Sequence, residues 1–458
     1  MNKPNTTYLI MRNLLFTGLL LGLITFSYAQ QKQPTGQVYN FTLADCINYA
    51  YEHQDTVLNT GLDAKSASYH VKETIGQGLP QVSASANFQD YLQIPTTLIP
   101  GEIFGQPGTF IPVKFGVKYQ SNIGINATQI LFDGNYFVGL QGRKTYQELF
   151  DLNHNRSKVQ ANVNVTKAYY QVLVSNEQIK LLDANVNQLK QTLDQTTAQN
   201  KQGFVEKIDV DRLTVQYNDL ITQRENTIQL LALNYQLLKF QMGMPIQNNI
   251  VLTDKLEDVK LDAKVAEMTS DSTFYNSRVE YQMLETQKKL DQYTVKSKIA
   301  QFLPKLTANA SVADSYQDNS FSRLYSTNFP STYIGLSLSV PIFTGFQHSN
   351  QLKQSQITVM KDENDLFNLK NGLNLQANAA KTSYVNGLRS LNSQKQNQAL
   401  AQEVLRVAKI KYQQGVGSSI EVTQAETAVQ DADNKYIQGL YQALVSKVDL
   451  DKAYGRIK

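Results

Sequence analysis

Two stretches decide the fold: GQGLPQVSASA at residues 76–86 and AQFLPKLTANA at residues 300–310. Each carries a Leu-Pro step, Leu79-Pro80 or Leu303-Pro304, and each then alternates apolar and polar residues. Proline disrupts a continuing helix and cannot donate to a strand ladder, so it marks a change of element, and the period of two beyond it marks a strand. After Pro80, Val82, Ala84, Ala86 and Phe88 oppose Gln81, Ser83, Ser85, Asn87 and Gln89. After Pro304, Leu306, Ala308, Ala310 and Val312 oppose Lys305, Thr307, Asn309 and Ser311. The two stretches are copies of one design.

Further landmarks repeat in the same order. Phe132-Asp133-Gly134 corresponds to Phe343-Thr344-Gly345, Gly203 in KQGFVEKIDV to Gly415 in QQGVGSSIEV, and Gly243 in QMGMP to Gly455 in AYGRIK. The offset is 224 residues at the Leu-Pro step but 211 to 212 at the later landmarks, so the first copy holds thirteen extra residues between Leu-Pro and Phe-x-Gly. A segment that tolerates insertion behaves as a surface loop. The segments after it keep equal length, as elements that must end at one level do.

The same alternation predicts four amphipathic strands, at about 80–92, 112–132, 304–315 and 332–343. Each reaches the nine to eleven or so residues that cross a bilayer at the usual tilt. The intervening segments hold much of the Pro and Gly and are expected to face the outside, with Tyr91, Phe110, Phe321, Tyr325, Phe329 and Tyr333 as candidates for an interfacial girdle. Four strands cannot close a barrel, and open edges in lipid leave backbone groups unpaired, so the count requires partner copies. Three copies would supply twelve strands.

From Gly134 to Gly203 and from Gly345 to Gly415 the chain contains no proline. In the second stretch Leu366, Leu369, Leu373, Ala377, Ala380, Tyr384, Leu388 and Leu391 recur at spacings of three and four. Helices of this length reach about 100 Å at about 1.5 Å per residue. The glycine ending each permits a reversal into returning helices at about 208–241 and 420–453, and shorter helices are expected at about 42–77 and 273–302. The organisation is therefore a first unit over 30–243, a linker over 244–272 and a second unit over 273–458.

Residues 1–29 read as a secretory signal peptide: Lys3 and Arg12, an apolar stretch from Leu14 to Phe26, then Ser27-Tyr28-Ala29. No later apolar run approaches a transmembrane helix, so a membrane-spanning mature chain must span as a barrel. With a net charge of +4 and no dense Lys or Arg run, nucleic acid is not the expected partner. Cys46 is the lone cysteine and His53, His70, His154 and His348 are scattered over expected helix surfaces. No nucleophile–base pair, phosphate loop or metal-ligand spacing is present, which argues against an enzyme and against a cofactor.

Two tandem units of helix, Leu-Pro, strand, loop, strand, Phe-x-Gly and long helix, behind a signal peptide, resemble the TolC-like outer-membrane efflux proteins across nearly the whole mature chain. Tyr412, Gly415, Glu421, Val422 and Ala425 are similar to that family's hairpin-tip motif, with Gly203, Asp209 and Val210 as the first-unit counterpart. The resemblance implies an α+β membrane protein: a homotrimer with a twelve-stranded β-barrel in the outer membrane that continues into a long periplasmic helical barrel. It also implies an equatorial belt built from the linker and the chain ends, and a passive conduit that docks a periplasmic adaptor and an inner-membrane pump. Asp209 and Glu421 match acidic positions that line the family's periplasmic constriction, with Gln424 where some members carry another acid. Gly203, Phe204 and Val205, with Gly415, Val416, Gly417 and Ser418, fall where the adaptor would touch. A periplasmic adaptor or coiled-coil scaffold is the alternative, but such proteins usually present one hairpin between β-domains, not two complete units.

Overall fold

The structure, a computed structural model, describes residues 38–256, 259, 261 and 273–457. The expected signal peptide at 1–29 and part of the expected linker lie outside the described residues. In chain order the elements are β1 (Val38–Phe41), α1 (Leu43–His53), α2 (Asp55–Gly76), β2 (Gln81–Asp90), β3 (Thr96–Pro100), β4 (Phe110–Lys114), β5 (Tyr119–Phe132), α3 (Gly134–Lys201), α4 (Lys207–Met242) and β6 (Asn249–Leu252). They continue with α5 (Val279–Ala300), β7 (Lys305–Asp318), β8 (Asn328–Ser339), α6 (Gln347–Gln413) and α7 (Ser419–Ala453).

One antiparallel sheet has the order β2-β5-β7-β8. Residues directly opposed across an antiparallel ladder share a face. One row is Val82, Ala127, Ala310 and Ile334; the next residue along gives Ser83, Asn126, Ser311 and Tyr333 on the other side. The sheet thus has an apolar and a polar face. At its end remote from the helices, Phe88, Tyr119 and Phe321 pack on the apolar face with centroids 5.7 to 6.2 Å apart, and Tyr316 meets Tyr325 at 5.1 Å.

Several expectations are corrected here. The strand expected at 112–132 is two strands, because Gly116 takes φ 122° and Lys118 donates its backbone N–H to the Asn319 side chain. Its first part, β4, pairs with β3 in a separate hairpin. The strand expected at 332–343 instead occupies Asn328–Ser339, and Pro341 cannot extend the ladder. That expected at 304–315 runs on to Asp318. Of the six girdle candidates, Phe321 and Tyr325 join the apolar-face cluster. Phe329 and Tyr333 lie on the polar face, Phe110 lies in the separate hairpin, and Tyr91 donates its hydroxyl to Gln89.

The helix expected at 42–77 is also two helices. Gln54 leaves helical geometry at ψ 128°, ends α1 and caps α2 by accepting the Val57 N–H at 2.9 Å. The break makes room for the turn after α4: a Cβ on Gly243 would lie 2.4 Å from the His53 carbonyl oxygen. The helix expected at 273–302 begins only at Val279, after one turn of 3-10 helix over Phe274–Ser277.

The long helices form two hairpins, α3–α4 and α6–α7. At the first tip Gly203 (φ 80°) donates to the Asn200 carbonyl and Phe204 to that of Gln199; at the second Gly415 (φ 75°) donates to Tyr412 and Val416 to Lys411. Both are Schellman closures, which satisfy the last helical carbonyls through a left-handed residue. The main core lies about midway along α3 and toward the C-terminal ends of α4 and α7. Val165, Tyr169, Val172 and Leu173 of α3 meet Cys46 and Ala50 of α1, Leu238 and Met242 of α4, Leu440 and Leu444 of α7, and Ile250 of β6. Strand β6 pairs in parallel with β1 there. Away from this belt the apolar seams are narrow, such as Leu182, Val186 and Leu189 against Leu213 and Leu220.

Between belt and tips the hairpins are joined by polar rungs spaced seven residues apart. Asn185 and Gln398 both donate to Asp433, at 2.7 and 2.8 Å. Seven residues along α3 and α7, Thr192 donates to Glu426 at 3.2 Å while Lys409 pairs with the same carboxylate at 3.1 Å. Seven further along α3, Gln199 accepts from the Tyr412 hydroxyl at 3.3 Å. Helices α4 and α7 are joined by a further series that steps by seven along α4, from Ser419 to Asp209, Gln216 to Thr427 and Gln223 to Asn434. A seven-residue step keeps one helical seam in register.

Two predictions test these joints. Gly203→Ala or Gly415→Ala places a Cβ in left-handed backbone and should each lower folded stability by about 1 kcal/mol in chemical denaturation, with no change in the belt. Glu426 has its pKa raised above 4.5 because burial outweighs the pull of Lys409 and Thr192. The folded chain therefore takes up a proton before the unfolded chain does, so stability should rise as pH falls through the raised value and level off near 4.5. Thermal melts from neutral pH downward should show this gain in the native protein relative to Glu426→Gln; parallel curves would refute it.

Candidate channel entrance at the hairpin tips

The expected site residues gather at the two tips, but in different environments. Phe204 and Val416, the residues after the left-handed glycines, are each 78 % exposed. Val205 is half-buried and its carbonyl accepts from the Asn200 amide at 2.8 Å, which holds the first tip closed on itself. Gly417 donates to the Lys411 carbonyl, and Ser418 caps α7 by accepting the Glu421 N–H at 3.2 Å. Each tip thus presents one bare apolar side chain on a hydrogen-bonded loop.

Asp209 lies in the first turn of α4, where the helix N-terminus favours a carboxylate. It accepts from the Ser419 hydroxyl of the other hairpin and lies 3.7 Å from Arg212. Its side chain is 17 % exposed. Glu421 and Gln424 are exposed and line, with Val404, Val407 and Lys411, an open groove between α6 and α7. Within one chain, therefore, Asp209 is spent on joining the hairpins, while Glu421 and Gln424 remain free to face a neighbour or a lumen.

Reasoning from sequence missed the rungs that connect this site to the belt. Glu426 follows Val422 by one helical turn and breaks the small apolar stripe of Val422, Ala425, Val429 and Ala432. An acid interrupting such a stripe was the available signal, with Lys409 as its partner. His154 also departs from the expected helix surface: its ring lies against Gly61 and its Nδ1 is 3.2 Å from the Thr60 hydroxyl, so it packs α3 on α2. Cys46 is buried, and its thiol pKa is pushed up to about 12 by burial and by Asp45 and Asp254. Among the described residues no group of three or more His, Cys, Asp or Glu could hold a metal, and no helix is long and apolar enough to cross a membrane.

Comparison with known proteins agrees with this geometry. Residues 277–456, the second unit, match the family model described as Outer membrane efflux protein. The outer membrane protein TolC of Escherichia coli K12 is 22 % identical over 357 residues, which cover 74 % of this chain and 70 % of that protein. The TolC of Vibrio cholerae is 19 % identical over 431 residues, covering 92 % of each. In fold, the chain is similar to the outer membrane protein VceC from Vibrio cholerae, with a TM-score of 0.69 at 14 % identity over 90 % of this chain and 96 % of that one. It is similar also to the CmeC outer membrane channel of Campylobacter jejuni, with a TM-score of 0.70 at 15 % identity over 90 % and 85 % of the two chains. Two tandem strand-and-hairpin units and the sheet they share give the chain the fold of these outer-membrane channels, and its second unit matches the outer membrane efflux protein family model.

Proposed function

We propose that this chain is a TolC-like outer-membrane efflux channel, working as a homotrimer and as the terminal conduit of a tripartite efflux or type I secretion assembly. The observation that carries the reading is the sheet: among the described residues β2 and β8 are both edges, and each has a ladder on one side only. Strands β2 and β8 run in opposite senses, so β8 of one copy can pair antiparallel with β2 of the next. Three copies then close twelve strands, with the apolar rows to lipid and the polar rows to a lumen. The helical hairpins, prolonging the sheet on one side, extend this lumen across the periplasm.

The tips are the periplasmic entrance in this reading. Phe204 and Val416, presented by Gly203 and by Gly415, Gly417 and Ser418, with Val205 behind them, form the surface for a periplasmic adaptor, which in turn couples an inner-membrane pump. Glu421 and Gln424, together with Asp209, set the field of the constriction, where carboxylates attract cations and discourage anions. Asp209 has a second part, because its bond to Ser419 keeps the hairpins together.

Native mass measurement of the detergent-extracted outer-membrane protein should report three chains, and a monomer would overturn the proposal. In planar bilayers the resting channel should pass a small, cation-selective current. Asp209→Asn with Glu421→Gln should reduce cation selectivity and block by divalent cations while leaving the trimer intact; unchanged selectivity and block would return both residues to helix-end charges. Ser419→Ala, which removes no charge, should raise the resting current without changing its selectivity.

A further inference from the structure

The hairpin β3–β4 is an apolar body with no apparent use in the sheet or the helices. Across residues 92–114 the charged residues are Glu102 and Lys114, the second at the last position of β4. The hairpin is nonetheless ordered: Gly101 donates to the Thr109 carbonyl at 2.7 Å, Gln106 to that of Gly101 at 2.9 Å, and the Thr109 hydroxyl to that of Gln106 at 2.8 Å. Its ladder opposes Leu98 to Pro112 and Pro100 to Phe110, so these four share one face. All four are exposed, Phe110 to 69 %. A loop that merely joined strands would expose polar side chains here.

A second unexplained feature lies at the opposite edge of the sheet. Phe329 and Tyr333 sit on the polar face of β8, in rows with Asn87, Asn122 and Ser315 and with Ser83, Asn126 and Ser311, and both rings are about half exposed. Aromatic rings on the water-facing side of a strand need a cover. Within one chain the hairpin cannot supply it, since it rises from edge strand β2 and inner strand β5 while β8 is the far edge. Pairing β8 of one copy with β2 of the next brings the two features together. Phe329 is one residue from the start of β8, at the end where β2 finishes and the hairpin begins.

We propose that the hairpin of each copy folds over the seam and seats its Leu98, Pro100, Phe110 and Pro112 face on Phe329 and Tyr333 of the neighbouring copy, forming an interlocked apolar collar that narrows the external mouth of the channel. This rests on the trimer proposed above. With Glu102 and Lys114 its only charges, the hairpin can cover the neighbour's rings with little charge to desolvate, and the thirteen extra residues of the first unit lie in this segment.

The test is disulfide cross-linking in outer-membrane vesicles, where Cys46, buried and with its thiol pKa pushed up to about 12, supplies little background. The double variant Phe110→Cys with Phe329→Cys should give species of up to three linked chains on oxidation, and neither single variant should. Deleting residues 97–113 should raise single-channel conductance by about twofold or more, as removal of a constriction does. Cross-linking by Phe110→Cys alone would mean that the hairpins meet one another and not the neighbouring strand, which overturns the contact. Quenching of a dye on Phe110→Cys by quencher-bearing acyl chains would place the hairpin in lipid and overturn it equally. A native mass of one chain fails the trimer and this contact together, whereas a mass of three chains without the cross-link fails the contact alone.

Discussion

The outer flanks of β2 and β8 carry backbone N–H and C=O groups that no strand among the described residues reaches, in a sheet whose one face is predominantly apolar. In a membrane each such group left unpaired costs several kcal/mol, and over ten-residue strands that total exceeds the whole stability of an ordinary domain. Much else in the structure answers this constraint. The duplication supplies two strands from each unit; the strand directions alternate so that the two edges are complementary; the helices leave the sheet at one end and do not cover its apolar face. Aromatic rings gather at the other end of that face, where amphipathic groups suit a boundary between lipid and water.

Which parts of this were legible in the amino-acid sequence follows from the range of the interactions involved. Strand identity was legible, because alternation is local: Val82, Ala84 and Ala86 show their face with no partner strand in view. Helix length was legible from the absence of proline, and the turns from Gly203 and Gly415. The interruption at Gly116 was hidden, since the alternation of Val113, Phe115, Val117 and Tyr119 continues through it. What breaks the strand is a left-handed glycine and the distant Asn319 side chain. The sides taken by Phe329 and Tyr333 were hidden for a related reason, since a ring near a hairpin end suits a girdle by composition and only the ladder register assigns its face.

The site shows the same division. The tip glycines and the acids six residues beyond them were visible as a repeated local pattern. That Asp209 turns toward Ser419 while Glu421 stays open depends on how two hairpins some two hundred residues apart in sequence lie against each other. The rungs at Asp433 and Glu426 were visible only in part. Polar residues in a small-residue stripe are an anomaly in one helix and become an explanation only when the facing helix supplies Asn185 or Thr192.

The placement of the core also has a mechanical consequence. Helix α3 is gripped at mid-length, and α4 and α7 toward their C-terminal ends, by a broad cluster that also draws on α1 and β6, while beyond it the seams are one or two apolar residues per turn, interleaved with hydrogen bonds that water can replace. Such a body behaves as a tuning fork: the stem is stiff, and the prongs swing about the point where they are held. Because deflection of a clamped rod grows steeply with the length left free, small yielding at the rungs nearest the belt becomes large displacement at Phe204 and Val416.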